Sequence, residues 1–404
     1  MTAAPSPAPS AASSPAPSSD VDLFTEDVLL DPYPHYATLR DQGPAVWLTA
    51  SSMWAIPRYH DMRTVLADWA TYSSAQGIAI DPGFSAVLKG AFIACDPPEH
   101  RPQRQVLADR LTVPALRSLK DQIQAWATDH VDACLADTTF DAVTGLARPY
   151  PLHVIGSLLG LPRVPAGLAD WASAAFQSLG PANERALGVV HLLGELEAFL
   201  SAEAGPESVP SGSFGADIHD AARRGAVTAT QAASILRAYA TAGIDTTVNA
   251  LSSALWLLAR HPAQWQMLRA DPARIPAAFE EALRMESPVQ AFARSVTRDH
   301  DLGEVSLAAG DRVMLLYGSA NRDPRRWSEP DRFDITRSAR GHLAFGHGIH
   351  VCPGAHLARF EAIAVLTAMA RRVDRLELAD APTRQVNNTV RGFTSLPLTV
   401  RLAA

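Results

Sequence analysis

Phe345-Gly346-His347-Gly348-Ile349-His350-Val351-Cys352-Pro353-Gly354, followed by Ala355-His356-Leu357-Ala358-Arg359, is the stretch on which the fold turns. Gly346 and Gly348 let the loop fold tightly around a flat object. Cys352 stands just ahead of a helical run, where the positive end of the helix dipole favours thiolate over thiol. Three chemistries compete for such a cysteine. It is a buried apolar thiol, or part of a zinc cluster with His347, His350 and His356, or a thiolate that pushes electron density into a haem iron. The zinc spacing is irregular and lacks a second cysteine.

Upstream, the clearest helix starts at the capping box Thr228-Ala229-Thr230-Gln231 and runs to Arg260, where His261-Pro262 stops it. Its middle reads Ala242-Gly243-Ile244-Asp245-Thr246-Thr247, a cluster of poor helix formers. Thr246 is placed to bond its hydroxyl to the carbonyl of Ala242 and bend the helix. Such local conflict in a good helix is expected at functional sites. Further out, Ala45-Val46-Trp47-Leu48 and Met53-Trp54-Ala55-Ile56 predict a short hairpin, and helical patterns dominate from about Asp61 onward.

The remaining composition narrows the class. Thirty-five basic against 42 acidic residues give a formal charge of −7, so no net positive field draws nucleic acid. Cys95, Cys134 and Cys352 are an odd, sparse set, which argues for reduced thiols in a cytoplasm rather than a disulfide framework. The apolar run Thr230 to Leu258 is interrupted by Arg237 and Asp245, so no membrane span is expected. Residues 1–20, rich in Ala, Pro and Ser, read as a disordered tail with neither a basic n-region nor an apolar h-region. Order is expected from about Val21, with 21–404 forming one mainly α domain with a small β region. Length alone would suggest two units, yet no repeat or clean linker divides the rest.

With these segments in order, the chain resembles the cytochrome P-450 monooxygenases. Phe345-x-x-Gly348-x-His350-x-Cys352-x-Gly354 is similar to their haem-binding loop, Ala242-Gly243-Ile244-Asp245-Thr246 to their oxygen-activating helix, and Glu281-Ala282-Leu283-Arg284 to their Glu-x-x-Arg motif. The resemblance covers essentially everything from about residue 25. It implies a single large helical domain around a buried haem b, with Cys352 as the iron ligand and O2 as co-substrate. His100, Arg104, Arg294 and His350 would hold the propionates, with Phe345, Gly346, Ala242 and Gly243 also against the haem. Asp245 and Thr246 would be the catalytic acid–alcohol pair that organises proton delivery. Glu281 and Arg284 would close a buried triad with an arginine best matched by Arg332. Pro353 departs from relatives that carry an N–H-bearing residue after the cysteine.

Within the family the chain most resembles bacterial enzymes that O-demethylate para-methoxybenzoates, through Gly180 to Glu184, Phe279 to Asp299, Gly318 to Arg337 and Asn387 to Gly392. The likeness puts Phe176, Leu179, Thr241, Val289 and Phe292 around the aromatic ring. Those relatives hold the carboxylate with an arginine and a serine, where this sequence has Val87 and Gly90. Either Lys89 takes over that anchor or the substrate is a neutral methoxyphenol of the guaiacol or syringol type, which is the favoured expectation. A hydroxylase of another compact hydrophobe such as a terpenoid, and a non-catalytic haem sensor or electron carrier, are the alternatives. No flavin domain is fused to the chain, so the resemblance implies electrons from NAD(P)H through a ferredoxin reductase and a ferredoxin. Arg322, Arg325, Arg326, Arg332, Arg337 and Arg340 are candidates to dock the ferredoxin on a monomeric enzyme.

Overall fold

A computed structural model describes residues 16–403; the head, residues 1–15, lies outside the described residues. Order begins a little before the expected Val21. Strand β1 (Ser18–Ser19) pairs in parallel with β2 (Val46–Leu48), and Pro17 accepts a hydrogen bond from the Trp47 amide. The expected hairpin forms between β2 and β3 (Met53–Ile56). The sheet continues through β4 (Tyr72–Ser73), β5 (Ala291–Val296) and β6 (Arg312–Leu316), in the spatial order β1-β2-β3-β6-β5-β4.

Both faces of this sheet are covered, so its strands are near-continuously apolar rather than alternating with polar residues. Trp54, Ile56, Val313 and Leu315 pack on one face, with Phe292 against them. Ala55, Met314, Leu316, Ala291 and Ala293 pack on the other, together with Ile80. Antiparallel register sets Phe292 opposite Leu315, Arg294 opposite Val313, and Ser295 opposite Arg312. Because side chains alternate along a strand, Phe292 and Arg294 share one face while Arg312 belongs to the other.

Helices carry most of the chain. The ones that frame the site are α1 (His100–Ala108), α2 (Lys120–Cys134), α3 (Pro149–Leu159), α4 (Leu168–Gln177), α5 (Ala229–Arg260), α6 (Ile275–Glu286) and α7 (Ala355–Arg372). The capping box on Thr228 is formed in both directions. Helix α5 then runs unbroken for 32 residues, about 48 Å at 1.5 Å per residue. Its ends carry exposed residues, its interior is mostly buried apart from the middle turn at Ala242, and it packs on α3, α4 and α6. The largest apolar cluster surrounds it, drawing on α2, α3, α6 and α7.

Candidate active site

The loop before α7 folds back on itself. The Cys352 amide donates to the Phe345 carbonyl at 2.8 Å, and the Gly346 amide to the Leu343 carbonyl at 2.8 Å. Gly348 has φ +72°, and a Cβ there would stand 2.2 Å from the Leu66 carbonyl oxygen. Glycine is therefore required at that position by backbone conformation and by space. Burial pushes the Cys352 pKa up, opposed by the N–H groups of Gly354 and Ala355 and by the charges of Arg104 and Arg359. A metal cation at the sulfur settles that contest in favour of thiolate.

Sulfur hydrogen bonds here come from the residues after Pro353, which itself has no N–H to offer. Pro353→Leu restores one donor. We expect it to raise the ferric/ferrous potential by about 40 mV, the equivalent of one net hydrogen bond of ~1 kcal/mol. A redox titration that returns the wild-type potential would disprove this account of the proline.

Beside the cysteine loop lies a set of buried polar atoms. Among the described residues, His100 Nε2, Arg104 Nη1 and both ring nitrogens of His350 have no hydrogen-bond partner. The two imidazoles stack edge-on with centroids 4.6 Å apart. Arg294 is buried, and its recorded bond is from Nη1 to the neighbouring Ala293 carbonyl at 2.8 Å. Burial, then the charges of Arg294, His100 and Arg104, push His350 down to about 2. Buried donors left unpaired in this way are costly unless an anion completes them. Two carboxylates entering from the same flat group answer that need, so the residues present fit a haem with its propionates against them.

Helix α5 supplies the opposite wall. Ala242 is exposed and Thr246 half-buried on a helix whose flanking residues are buried, and the two lie one turn apart. Exposure on one narrow stripe of an interior helix marks the edge of a cavity. The Thr246 hydroxyl donates to the Ala242 carbonyl at 2.6 Å, as the sequence predicted, without interrupting the helix. A Cβ on Gly243 would meet Ile155 Cδ1 of α3 at 2.7 Å, so its small size also serves helix packing, while the residue itself is half-buried beside exposed Ala242.

Asp245 is buried, with Oδ2 unpartnered. Burial raises its pKa to about 7; Arg148 pulls it down and Asp170 pushes it up. Arg148 and Asp170 are themselves a partly exposed ion pair. A carboxyl poised near neutrality, one residue from a hydroxyl on the cavity wall, is suited to passing protons.

The expected ring-binding residues take varied positions. Phe176 is buried on α4, and Leu179 is partly exposed just beyond it. Thr241 is buried with its hydroxyl spent on the Arg237 carbonyl at 2.9 Å, which leaves its methyl as the free surface. Val289 bridges to Val390, and Phe292 packs edge-on against Tyr317 at 6.0 Å. The peptide 78–80 joins the two sides: Ala293 donates to Ile78, and Ile80 to Leu179, each at 2.7 Å. Segments far apart in sequence are knitted the same way, with Gly180 packed on Asn388 and Gln290 donating to Thr389 at 2.8 Å.

Lys89 is not among them. It is exposed on the segment after helix 82–87, where Val87 is also 79% exposed, so its ammonium stays in water. A flexible, strongly hydrated side chain gains nothing by turning inward without a fixed partner.

Two further expectations need correcting. Arg332 does not close the Glu-x-x-Arg triad; it pairs with Glu329 at the surface. Arg337 does, donating from Nε to Glu281 at 3.0 Å, while Arg284 holds the same carboxylate at 2.7 and 2.8 Å. The turn at 334–337 sets that choice: the Asp334 amide also reaches Glu281, at 3.3 Å, which carries Arg337 inward. Of the six arginines proposed for docking, Arg322 is likewise committed inside, to Glu286. Arg325 binds Asp41 and Asp323, and Arg326 stacks on Trp327. Arg332 and Arg340 remain exposed, joined by Arg63 beside His347.

The sequence reading passed over Glu280. Burial opposes its ionisation, yet hydrogen bonds and charge from His342 and Arg359 hold it at about 2. It thereby fixes Arg359 over the face of Phe345, 4.5 Å from the ring centroid. The paired acids Glu280-Glu281 were the available signal. Glu361, buried on α7 with Oε2 unpartnered and its pKa raised well above the usual value by burial, was likewise missed.

Comparison with known proteins agrees with this geometry. Residues 221–402 match the Cytochrome P450 family model. The chain is 38% identical to cytochrome p450 CYP199A2 of Rhodopseudomonas palustris, over 98% of this chain and 99% of that one. It is 33% identical to the monooxygenase PikC of Streptomyces venezuelae, over 94% and 93%. Among solved structures, P450BioI with a ligated acyl carrier protein superposes with TM-score 0.84 at 28% identity, covering 93% of this chain and 99% of that one. Cytochrome P450 CREJ in complex with (4-ethylphenyl) dihydrogen phosphate gives 0.82 at 30%, covering 92% and 98%. The chain therefore belongs to the cytochrome P450 family, and it is a monooxygenase whose haem b is carried on the thiolate of Cys352.

Proposed function

We propose that this monooxygenase O-demethylates a small neutral methoxy-aromatic, a methoxyphenol of the guaiacol or syringol type. One O2, two electrons and two protons convert the ether to a phenol, formaldehyde and water. Haem b, when bound, supplies the activation of O2 and the oxidation of the methyl group. The observation that carries the neutral substrate is where two cations sit: Lys89, beside the expected anchor in sequence, and Arg312, whose guanidinium reaches Ala79 and Ser85 just upstream of it. Lys89 is in solvent, and Arg312 lies on the opposite sheet face from Phe292. A buried carboxylate without a cationic partner is costly, whereas a phenol needs only a hydrogen bond.

The residues then have separable tasks. Phe176, Leu179, Val289 and Phe292 present apolar surface to the ring and exclude water. Thr241 adds a methyl, its hydroxyl being already bonded. Asp245 holds a proton at Oδ2 and passes it toward the Thr246 side of the cavity, with Arg148 and Asp170 linking it to solvent. Arg104 and Arg294 would neutralise the propionates, and the uncharged imidazoles of His100 and His350 would each have an N–H to donate to them. Electrons come from NAD(P)H through a ferredoxin reductase and a ferredoxin in the cytoplasm. Exposed Arg63 and Arg340 near the cysteine loop favour an acidic partner there.

An optical titration of the ferric protein tests the substrate class. Syringol or guaiacol is expected to displace the iron-bound water and shift the Soret band strongly at pH 7. 4-Methoxybenzoate is expected to shift it less, and turnover should release one formaldehyde per methoxyl consumed. A larger shift with the benzoate than with either phenol would reject the neutral pocket.

A further inference from the structure

The segment 77–81 runs between the sheet and the end of α4, and its two sides are fastened very differently. On the sheet side, the Ala293 amide of β5 holds the Ile78 carbonyl at 2.7 Å. Arg312 of β6 reaches the same segment from the face away from Phe292. Its Nη1 donates to the Ile80 carbonyl at 2.9 Å and its Nη2 to the Ala79 carbonyl at 2.5 Å. Ser85 adds a third support, donating from Oγ to the Ala79 carbonyl at 2.9 Å. Gly77, at φ +92°, lies so close that a Cβ would stand 2.3 Å from Ser85 Cβ. On the other side the fastening is two peptide hydrogen bonds, Ile80 to Leu179 at 2.7 Å and Asp81 to Gly180 at 3.2 Å.

Immediately outside those two bonds is an open cleft of about 480 Å³, lined by Ile80, Asp81 and Pro82 on one bank and Pro181, Asn183 and Glu184 on the other. Immediately inside stand Leu179 and Phe176. Ile80 thus both lines the cleft and bonds Leu179, one of the residues assigned to the ring site. Backbone bonds at a seam open singly and cheaply, each contributing about 1 kcal/mol net. A guanidinium fork spanning two successive carbonyls is a stiffer fixture, which a lysine with its single ammonium cannot reproduce.

We propose that Arg312 is a positioning residue: it fixes 78–81 as a rigid jamb, and ligands enter by parting the seam between 80–81 and 179–180. The rigid jamb keeps the Ile80 amide in register with the Leu179 carbonyl and so keeps the seam closed between passages. Loosening the jamb leaves the ring site and the haem contacts in place but lets the seam part more often. Entry and exit use the same seam, so both rates rise together and the equilibrium moves little.

This rests on the assignment of Phe176, Leu179 and Phe292 to the ring site, but not on which ring the enzyme takes. The probe is therefore 4-phenylimidazole, whose nitrogen binds the haem iron whatever the natural substrate. A wrong substrate class shows in the wild-type methoxyarene titration and leaves this readout intact. Stopped-flow absorbance on the holoprotein should give association and dissociation rates about fivefold higher in Arg312→Met than in wild type, the effect expected when both Arg312 hydrogen bonds are lost and part of their net worth is felt at the seam. The dissociation constant should stay within about twofold. Arg312→Lys should fall between the two, and Ser85→Ala should move both rates in the same direction by less. If Arg312→Met fails to hold haem, Ser85→Ala alone decides. Rates within twofold of wild type in every variant that holds haem overturn the proposal. So does an affinity loss carried by dissociation alone, with Arg312→Lys no better than Arg312→Met, since that pattern marks general support of the fold.

Discussion

Asp245→Asn should turn over about 10²- to 10⁴-fold more slowly than wild type while binding substrate equally well, the range expected when a positioned proton donor is removed. The amide keeps the shape of the carboxyl and loses only its exchangeable acid proton. Burial has raised the Asp245 pKa from 3.8 to about 7, so the wild-type rate should fall as pH rises through about 7 and the variant should lose that limb. The same shift predicts a stability effect whose sign can be worked out. Between pH 4 and 7 the unfolded chain has released this proton and the folded one retains it. The group therefore costs the fold stability progressively as pH rises across that window, up to about 4 kcal/mol at 1.36 kcal/mol per pKa unit. Above pH 7 the cost is constant. Asp245→Asn should accordingly be more resistant to denaturant than wild type at pH 8, with the gain shrinking toward pH 4. Equal turnover in the two proteins, or a gain that grows as pH falls, would refute the assignment.

Glu281→Ala is expected to be the most damaging single change outside the haem ligand. Arg284 and Glu281 are both fully buried, and Arg337 completes the cluster. Removing the carboxylate leaves the Arg284 charge in the interior with the carbonyls of Asn321 and Pro330 and the face of Trp327 as partners, none of them an anion. Breaking a buried pair in this way typically costs about 3–5 kcal/mol, a large part of the net stability of an ordinary domain. The denaturation midpoint and the haem content after purification should both drop. Arg332→Ala is the control that separates the two candidates for the third member. Its side chain is 58% exposed and pairs with an exposed Glu329, so a change within about 0.5 kcal/mol is expected. An Arg332 variant as damaged as Glu281→Ala would restore the original assignment.

The difference between these arginines shows where sequence reading reached its limit. Both lie within a few residues of each other in an Arg- and Asp-rich run, and spacing along the chain gives no reason to prefer one. The choice depends on a turn that lets the Asp334 amide meet Glu281 from across the fold. Gly243 makes the same point. A motif position implied contact with the haem, and the structure adds a packing constraint from Ile155, on a helix some ninety residues earlier, that spacing along the chain does not show. Lys89 was a plausible anchor by proximity in sequence and is turned outward by the short helix that precedes it.

What the sequence by itself determined are the features that need only local chemistry. A cysteine between a glycine-bearing loop and a helix, a capped helix with an acid and an alcohol at its weak middle, and a Glu-x-x-Arg on one helical face are all readable from spacing, because helix periodicity and turn propensity act within a few residues. Only the tertiary structure decided which buried donors gather beside the cysteine loop, which arginine enters the interior, and on which side of the sheet Arg312 works. Those outcomes come from strand register and from packing between segments up to three hundred residues apart. Burial sets the energetic worth of each charge, and burial is a property of the assembled fold rather than of any stretch of chain.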